Sequence, residues 1–112
     1  MGLDLYLLPF THDSEACAFS HTVLRCERDY DFFTAIKRLP KQRVPASFTC
    51  YVCSGDRDSH YGTTQHDAYG QQLMCVEAGS LAGLTSSQLD NRPILAYVRA
   101  LPLGTRIALF WN

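Results

Sequence analysis

No stretch of this chain stays apolar long enough to cross a bilayer: a spanning helix needs roughly twenty apolar residues in a row, and the opening MGLDLYLLPF is interrupted by Asp4 and Pro9. No basic region precedes that run, so it lacks the layout of an export signal, and a cytoplasmic location is expected. An excess of either charge is missing too. Ten Lys and Arg stand against eleven Asp and Glu, leaving a formal charge of −1. That balance supplies no field to draw the protein onto nucleic acid or anionic lipid, so direct nucleic-acid binding is not expected, and it cannot build a phosphate-like acidic surface either. The phosphate-cradling G-x-x-x-x-G-K-[ST], the dinucleotide G-x-G-x-x-G, the zincin H-E-x-x-H and the hydrolase G-x-S-x-G are all absent, and no motif implies a cofactor. Repeats, low-complexity tracts and linkers are lacking as well, which leaves one domain over residues 1–112. Its thirteen aromatics, from Tyr6 to Trp111, are enough large apolar surface to stabilise a fold of this size without cross-links. The five cysteines, Cys17, Cys26, Cys50, Cys53 and Cys75, are an odd number with no export signal, and they read as free thiols in a reducing compartment.

What is present is a succession of short periodic segments. Leu3, Leu5 and Leu7 alternate with Asp4, Tyr6 and Leu8 up to Pro9, the pattern of a strand with one well-buried face. AFSHTVLRC has the composition of a second strand but alternates imperfectly. In RDYDFFTAIKRLP the period lengthens: Phe32 or Phe33, Ile36 and Leu39 fall three or four apart, Asp29 and Asp31 lie at the start and Pro40 closes the run, which predicts a helix. SFTCYVC and QQLMCVEAG read as strands. A helical turn is expected near Ser80 to Leu84, and a longer helix from about Arg92 to Leu101, with Asp90 or Asn91 capping it and Pro93 in its first turn. In TRIALFWN, Ile107, Leu109 and Trp111 share a face, so the last strand should be central or well covered. The whole describes an α+β domain: four or five strands in an antiparallel or mixed sheet, with two main helices packed on it.

Two stretches are candidates for function. The first is SGDRDSHYGTTQHDAYG, residues 54–70, which holds no Val, Ile, Leu, Met, Phe or Trp. Seventeen residues exceed most connections in compact domains, and loops of that length are commonly functional. A hairpin continuing the flanking strands, with Gly55, Gly62 and Gly70 at turns, would remove the anomaly. Cys50 and Cys53 are spaced C-x2-C, and His60 and His66 H-x5-H, as in structural zinc sites, but only six residues separate the pairs. In a regular strand, moreover, positions 50 and 53 belong to opposite faces, so both would bind one ion only if the backbone turned there. Asp56, Asp58 and His60 alternate and, with His66, offer a metal-assisted hydrolase or nucleotide-processing centre; the same alternation equally describes a solvated hairpin face. Arg57, His60, Tyr61, His66 and Tyr69 make the amphipathic mixture that protein interfaces favour. The second stretch is KRLPKQR, in which Lys37, Arg38, Lys41 and Arg43 form either the cationic end of a helix or a docking patch for an acidic surface.

The segments MGLDLYLLPF, FSHTVL, SHYG and ALFWN, scattered over most of the chain, resemble a family of small bacteriophage and prophage accessory proteins. The resemblance carries no active residues. It implies expression in a bacterial cytoplasm and action by binding a host protein, with anti-CRISPR and other counter-defence inhibitors as the prominent example. A non-enzymatic inhibitor or adaptor that engages a bacterial host protein through residues of 54–70 and 37–43 is therefore the expected function, with the metal-dependent hydrolase as the alternative.

Overall fold

The structure, a computed structural model, describes residues 3–12, 18–20, 22–53 and 59–112, with the backbone alone at 12, 51–53 and 59–62. Its strands are β1 (Leu5–His12), β2 (Ala18–Ser20), β3 (Leu24–Cys26), β4 (Gln42–Arg43), β5 (Thr49–Cys53), β6 (Ser59–Thr63), β7 (Met74–Glu77) and β8 (Arg106–Trp111). Helix α1 (Tyr30–Lys37) joins β3 to β4, while α2 (Ala78–Ala82) and α3 (Asn91–Ala100) lie between β7 and β8. The strands form one curled sheet in the order β4-β7-β8-β1-β2-β5-β6, with β3 paired to β1 off that path. All pairs are antiparallel except β2 with β5.

The expected α+β class stands, but among the described residues eight strands, several of them very short, replace the four or five anticipated. The added ones are too short to show an alternating pattern: AFSHTVLRC contributes two strands of three residues each, and β4 has two residues. Both lie along β1 on the edge away from β8, and their registers differ by one residue, the offset a β-bulge produces. Pro9, expected to end the first strand, instead sits inside it opposite Ile107. Reciprocal backbone bonds between Asp4 and Asn112, at 2.8 and 2.9 Å, set the ladder so that residue 9 is a non-hydrogen-bonded position towards β8. On its other edge, residue 9 falls between Leu7, the last partner of β3, and Thr11, the first of β2. A residue without an N–H loses nothing there.

Both faces of the central strands are covered, as the near-continuous apolar run of the last strand implies. On one face Leu5, Leu7, Val76, Ile107 and Leu109 pack with Phe32, Phe33 and Ile36 of α1, Leu81 of α2, and Leu95 and Val98 of α3. On the other, Leu8, Phe10, Cys75, Ala108 and Phe110 meet Val44, Phe48, Cys50 and Leu73, contributed by the curl of the chain itself. Phe10 and Phe48 meet edge to face there at 4.9 Å.

A buried polar cluster fastens the helices to one another. Asp29 caps α1, with Oδ1 accepting from the Phe32 N–H at 3.2 Å, and its Oδ2 accepts from the Ser86 hydroxyl (2.8 Å), the Ser87 N–H (3.0 Å) and the Ser87 hydroxyl (3.1 Å). Burial pushes the Asp29 carboxyl up, but these bonds outweigh it and hold the group below the ordinary carboxylate range. At the start of α3 the expected cap is different. Asp90 occupies the N-cap position without a side-chain capping bond. Asn91, fully buried, instead grips the chain after β3: its Oδ1 accepts from the Glu27 N–H at 2.7 Å and its Nδ2 donates to the Glu27 carbonyl at 3.0 Å.

Candidate binding groove

The long polar stretch resolves into two elements. Its middle is a strand: β6 pairs antiparallel with β5 from Thr49 opposite Thr63 to Cys53 opposite Ser59, whereas the strand that follows the stretch, β7, pairs with β4 and β8. Gly62 is thus a ladder residue opposite Cys50 and not a turn. Its end is a tight turn. Asp67 Oδ1 accepts from the N–H groups of Tyr69 (2.9 Å) and Gln71 (3.1 Å), the Gly70 N–H donates to the Asp67 carbonyl at 3.1 Å, and Gly70 has φ of 79°. Asp and Gly supply what this geometry needs, a short acceptor near its own backbone and freedom at positive φ. The Ala68 N–H donates to the Trp111 carbonyl at 3.1 Å, docking the turn on the end of β8.

That docking brings the two candidate stretches together. Between the turn and the C-terminal end of α1 lies a groove of about 510 Å³, lined on its floor by Leu3, Met74, Leu109 and Trp111 and on its rims by Lys37, Lys41, Tyr69 and Gln71. Trp111 is held edge to face against Phe33 at 5.5 Å, and the Lys37 ammonium lies 5.0 Å from the Trp111 ring centroid, a cation–π contact. The Lys41 ammonium donates to the carbonyls of Lys37 and of Leu39, the latter at 3.0 Å, so it satisfies the open carbonyls at the end of α1. Burial lowers its pKa from the ordinary lysine value. Among the described residues neither lysine is ion-paired; the ion pair formed there joins Arg28 to Asp4 at 2.8 Å.

The other expected site residues are placed differently. Arg38 is exposed at the C-cap of α1 and does not line the groove. Arg43 stands beside it, donating at 2.7 Å to Gln72 Oε1, a groove residue. His66 is exposed and forms an isolated bridge with Gln72. His60 and Tyr61 belong to β6, the edge strand at the opposite end of the sheet path from β4. Asp56, Arg57 and Asp58 lie outside the described residues, as do the side chains of His60 and Tyr61. Of the zinc and hydrolase sets, only the side chains of Cys50 and His66 are described, and these two do not converge. Cys50 is sealed in the core with its thiol donating to Thr64 Oγ1 at 3.5 Å, whereas His66 faces solvent, and among the described residues no three His, Cys, Asp or Glu side chains are grouped to hold a metal ion. Cys26 and Cys75 are buried, as poor nucleophiles are; burial raises both thiols, Cys26 to about 12, with Arg106 partly offsetting the rise at Cys75.

Trp111, Leu3, Met74 and Gln71 escaped the reading of the sequence because each belongs to a segment already explained by folding. The available signal was the spacing D-A-Y-G at residues 67–70, which marks the turn that carries Tyr69. Comparison with protein-family models, curated proteins and solved structures returns no match. Among the described residues no helix is long and apolar enough to cross a membrane.

Proposed function

We propose that this protein is a non-enzymatic binding domain that engages a host protein through the groove between α1 and the 67–71 turn. The observation that carries the reading is the convergence of Lys37 and Lys41 with Tyr69 over a Trp111 floor: cationic, phenolic and indole groups in one concave surface are the mixture from which interface hot spots are made. Its volume falls within the range of about 300–1,000 Å³ typical of ligand sites. Among the described residues the thiols of Cys26, Cys50 and Cys75 are buried, and no three His, Cys, Asp or Glu side chains are grouped to hold a metal ion. In the setting that the resemblance to phage accessory proteins implies, the partner is a bacterial protein, a component of a defence complex for example, and occupation of its surface is the inhibitory act.

The test is affinity capture from bacterial cells expressing the tagged full chain, with Tyr69→Ala in parallel. One stoichiometric protein should be recovered with the native chain, and its recovery should fall about tenfold or more with the variant, the size of loss a central aromatic anchor produces. Equal recovery on both chains moves the interface elsewhere, and no recovered protein across several hosts overturns the reading.

A further inference from the structure

The groove carries a chemical preference, and from it we infer that the segment it receives is an acidic peptide stretch with a large apolar side chain, a deepening that rests on the binding function proposed above. The rim charges decide the sign. Among the described residues Lys37 and Lys41 are cations without a carboxylate partner, and the acid of the lining, Asp67, has one oxygen already engaged by two backbone N–H groups and is only 8% exposed. Arg43, one residue beyond the lining, adds a third cation through its bond to Gln72. A carboxylate entering here meets an excess of positive over negative charge at partly apolar walls, where an ion pair is worth more than on an open surface.

The floor decides the rest of the ligand. Leu3 and Met74, both half-buried, present apolar surface beside the Trp111 ring at the base of the cationic rim. An aliphatic or aromatic side chain between two acids would cover it while its neighbours reach the lysines. The amide of Gln71 and the phenol of Tyr69, which is 57% exposed, have hydrogen-bonding capacity left for a peptide backbone. Lys41 already gives two of its N–H groups to the end of α1, so Lys37, whose ammonium lies over the Trp111 ring and has no ion-pair partner among the described residues, is the principal anion-binding group.

Single-stranded nucleic acid is the competing occupant of a groove with cations and aromatics, since it needs stacking platforms. Trp111 is poorly placed to act as one, because Lys37 covers the ring and Phe33 packs against it, leaving Tyr69 alone. Two or three cations in a chain of formal charge −1 also make a short track for a phosphate backbone.

The experiment selects random dodecapeptides from a display library on the immobilised full chain, then titrates the enriched peptides in solution. Trp111 is the protein's single tryptophan, so intrinsic fluorescence reports groove occupancy directly. Enriched peptides should carry net negative charge and at least one large apolar residue, shift the Trp111 emission, and bind about tenfold more weakly to Lys37→Glu. Lys37→Met, which keeps an apolar stem over the indole, should show a smaller loss and weaker salt dependence. Circular dichroism of both variants should match the native chain, because Lys37 is exposed. Enrichment of neutral or basic sequences, binding indifferent to Lys37→Glu, no enrichment at all, or tighter binding of a twelve-nucleotide single strand than of any peptide would each overturn the inference. The two proposals fail separately. A captured host protein that tolerates Lys37→Glu but not Tyr69→Ala refutes the acidic segment and leaves the binding function standing; acidic peptides that bind without any host protein being captured do the reverse.

Discussion

Asp29 accepts four hydrogen bonds, from one helix N-terminus and from Ser86 and Ser87, nearly sixty residues away along the chain. Asp29→Ala removes the cap of α1 and strands three donors together, and about 3 kcal/mol of stability should be lost, measurable by urea unfolding at neutral pH. The same carboxyl predicts an acid limb. Its folded-state pKa is depressed, so the protonated form is favoured in the unfolded chain; the stabilisation is complete above the ordinary carboxylate value near pH 4 and is lost as pH falls through the lower folded value. Unfolding midpoints of native protein and Asp29→Asn, followed from pH 7 to pH 2, should therefore differ most at neutral pH and converge in acid. The buried thiols provide a second check at this scale. Cys26, Cys50 and Cys75 are raised by burial and enclosed, so iodoacetamide should leave them unlabelled in the native protein and modify them in denaturant, as mass mapping of the peptides would show.

Among the elements, β1 organises the rest. It takes β8 along one edge and β3 and β2 in succession along the other, and Pro9 sits in the gap between those two short strands. Because no ladder bond is missing there, Pro9→Val should change stability by less than about 1 kcal/mol, whereas Ala108→Pro, at a hydrogen-bonded position of the same ladder, should unfold the protein by thermal melting criteria. The helices were the easier elements to foresee. Asp29, the Phe32 to Ile36 spacing and Pro40 mark α1 within its own span, as do Pro93 and Pro102 for α3. The three-residue strands were not legible, because their definition comes from partners up to thirty residues distant and not from a pattern within three side chains. Asn91 illustrates the same limit: its composition suits a cap, yet it was drawn to the backbone of Glu27, sixty-four positions earlier.

At the scale of the molecule, the groove exists because the end of the chain returns to meet its middle. Trp111 comes from the last strand, Lys37 and Lys41 from the end of the first helix, and Tyr69 from a turn that β8 holds by one backbone bond. Removing that turn's geometry should therefore separate binding from folding. Gly70→Val places a β-branched side chain at a φ of 79°, where nothing crowds it but the backbone is strained. A loss of about 1–2 kcal/mol is expected, with the core intact by near-ultraviolet dichroism and host-protein capture sharply reduced.

Composition and periodicity alone determined that the chain forms an α+β fold, that its last strand is central or well covered, and that a helix begins near Asp29 and Asp31; they also singled out residues 37–43 and 54–70 as candidates for function. These follow from local preferences: side-chain spacing, capping and turn residues act over a few positions. Which members of those stretches meet was decided only by tertiary structure. Lys37, Lys41 and Tyr69 face one another across Trp111, while His66 faces solvent and Cys50 is enclosed, because strand order and register bring positions together through long-range pairings that no local pattern encodes.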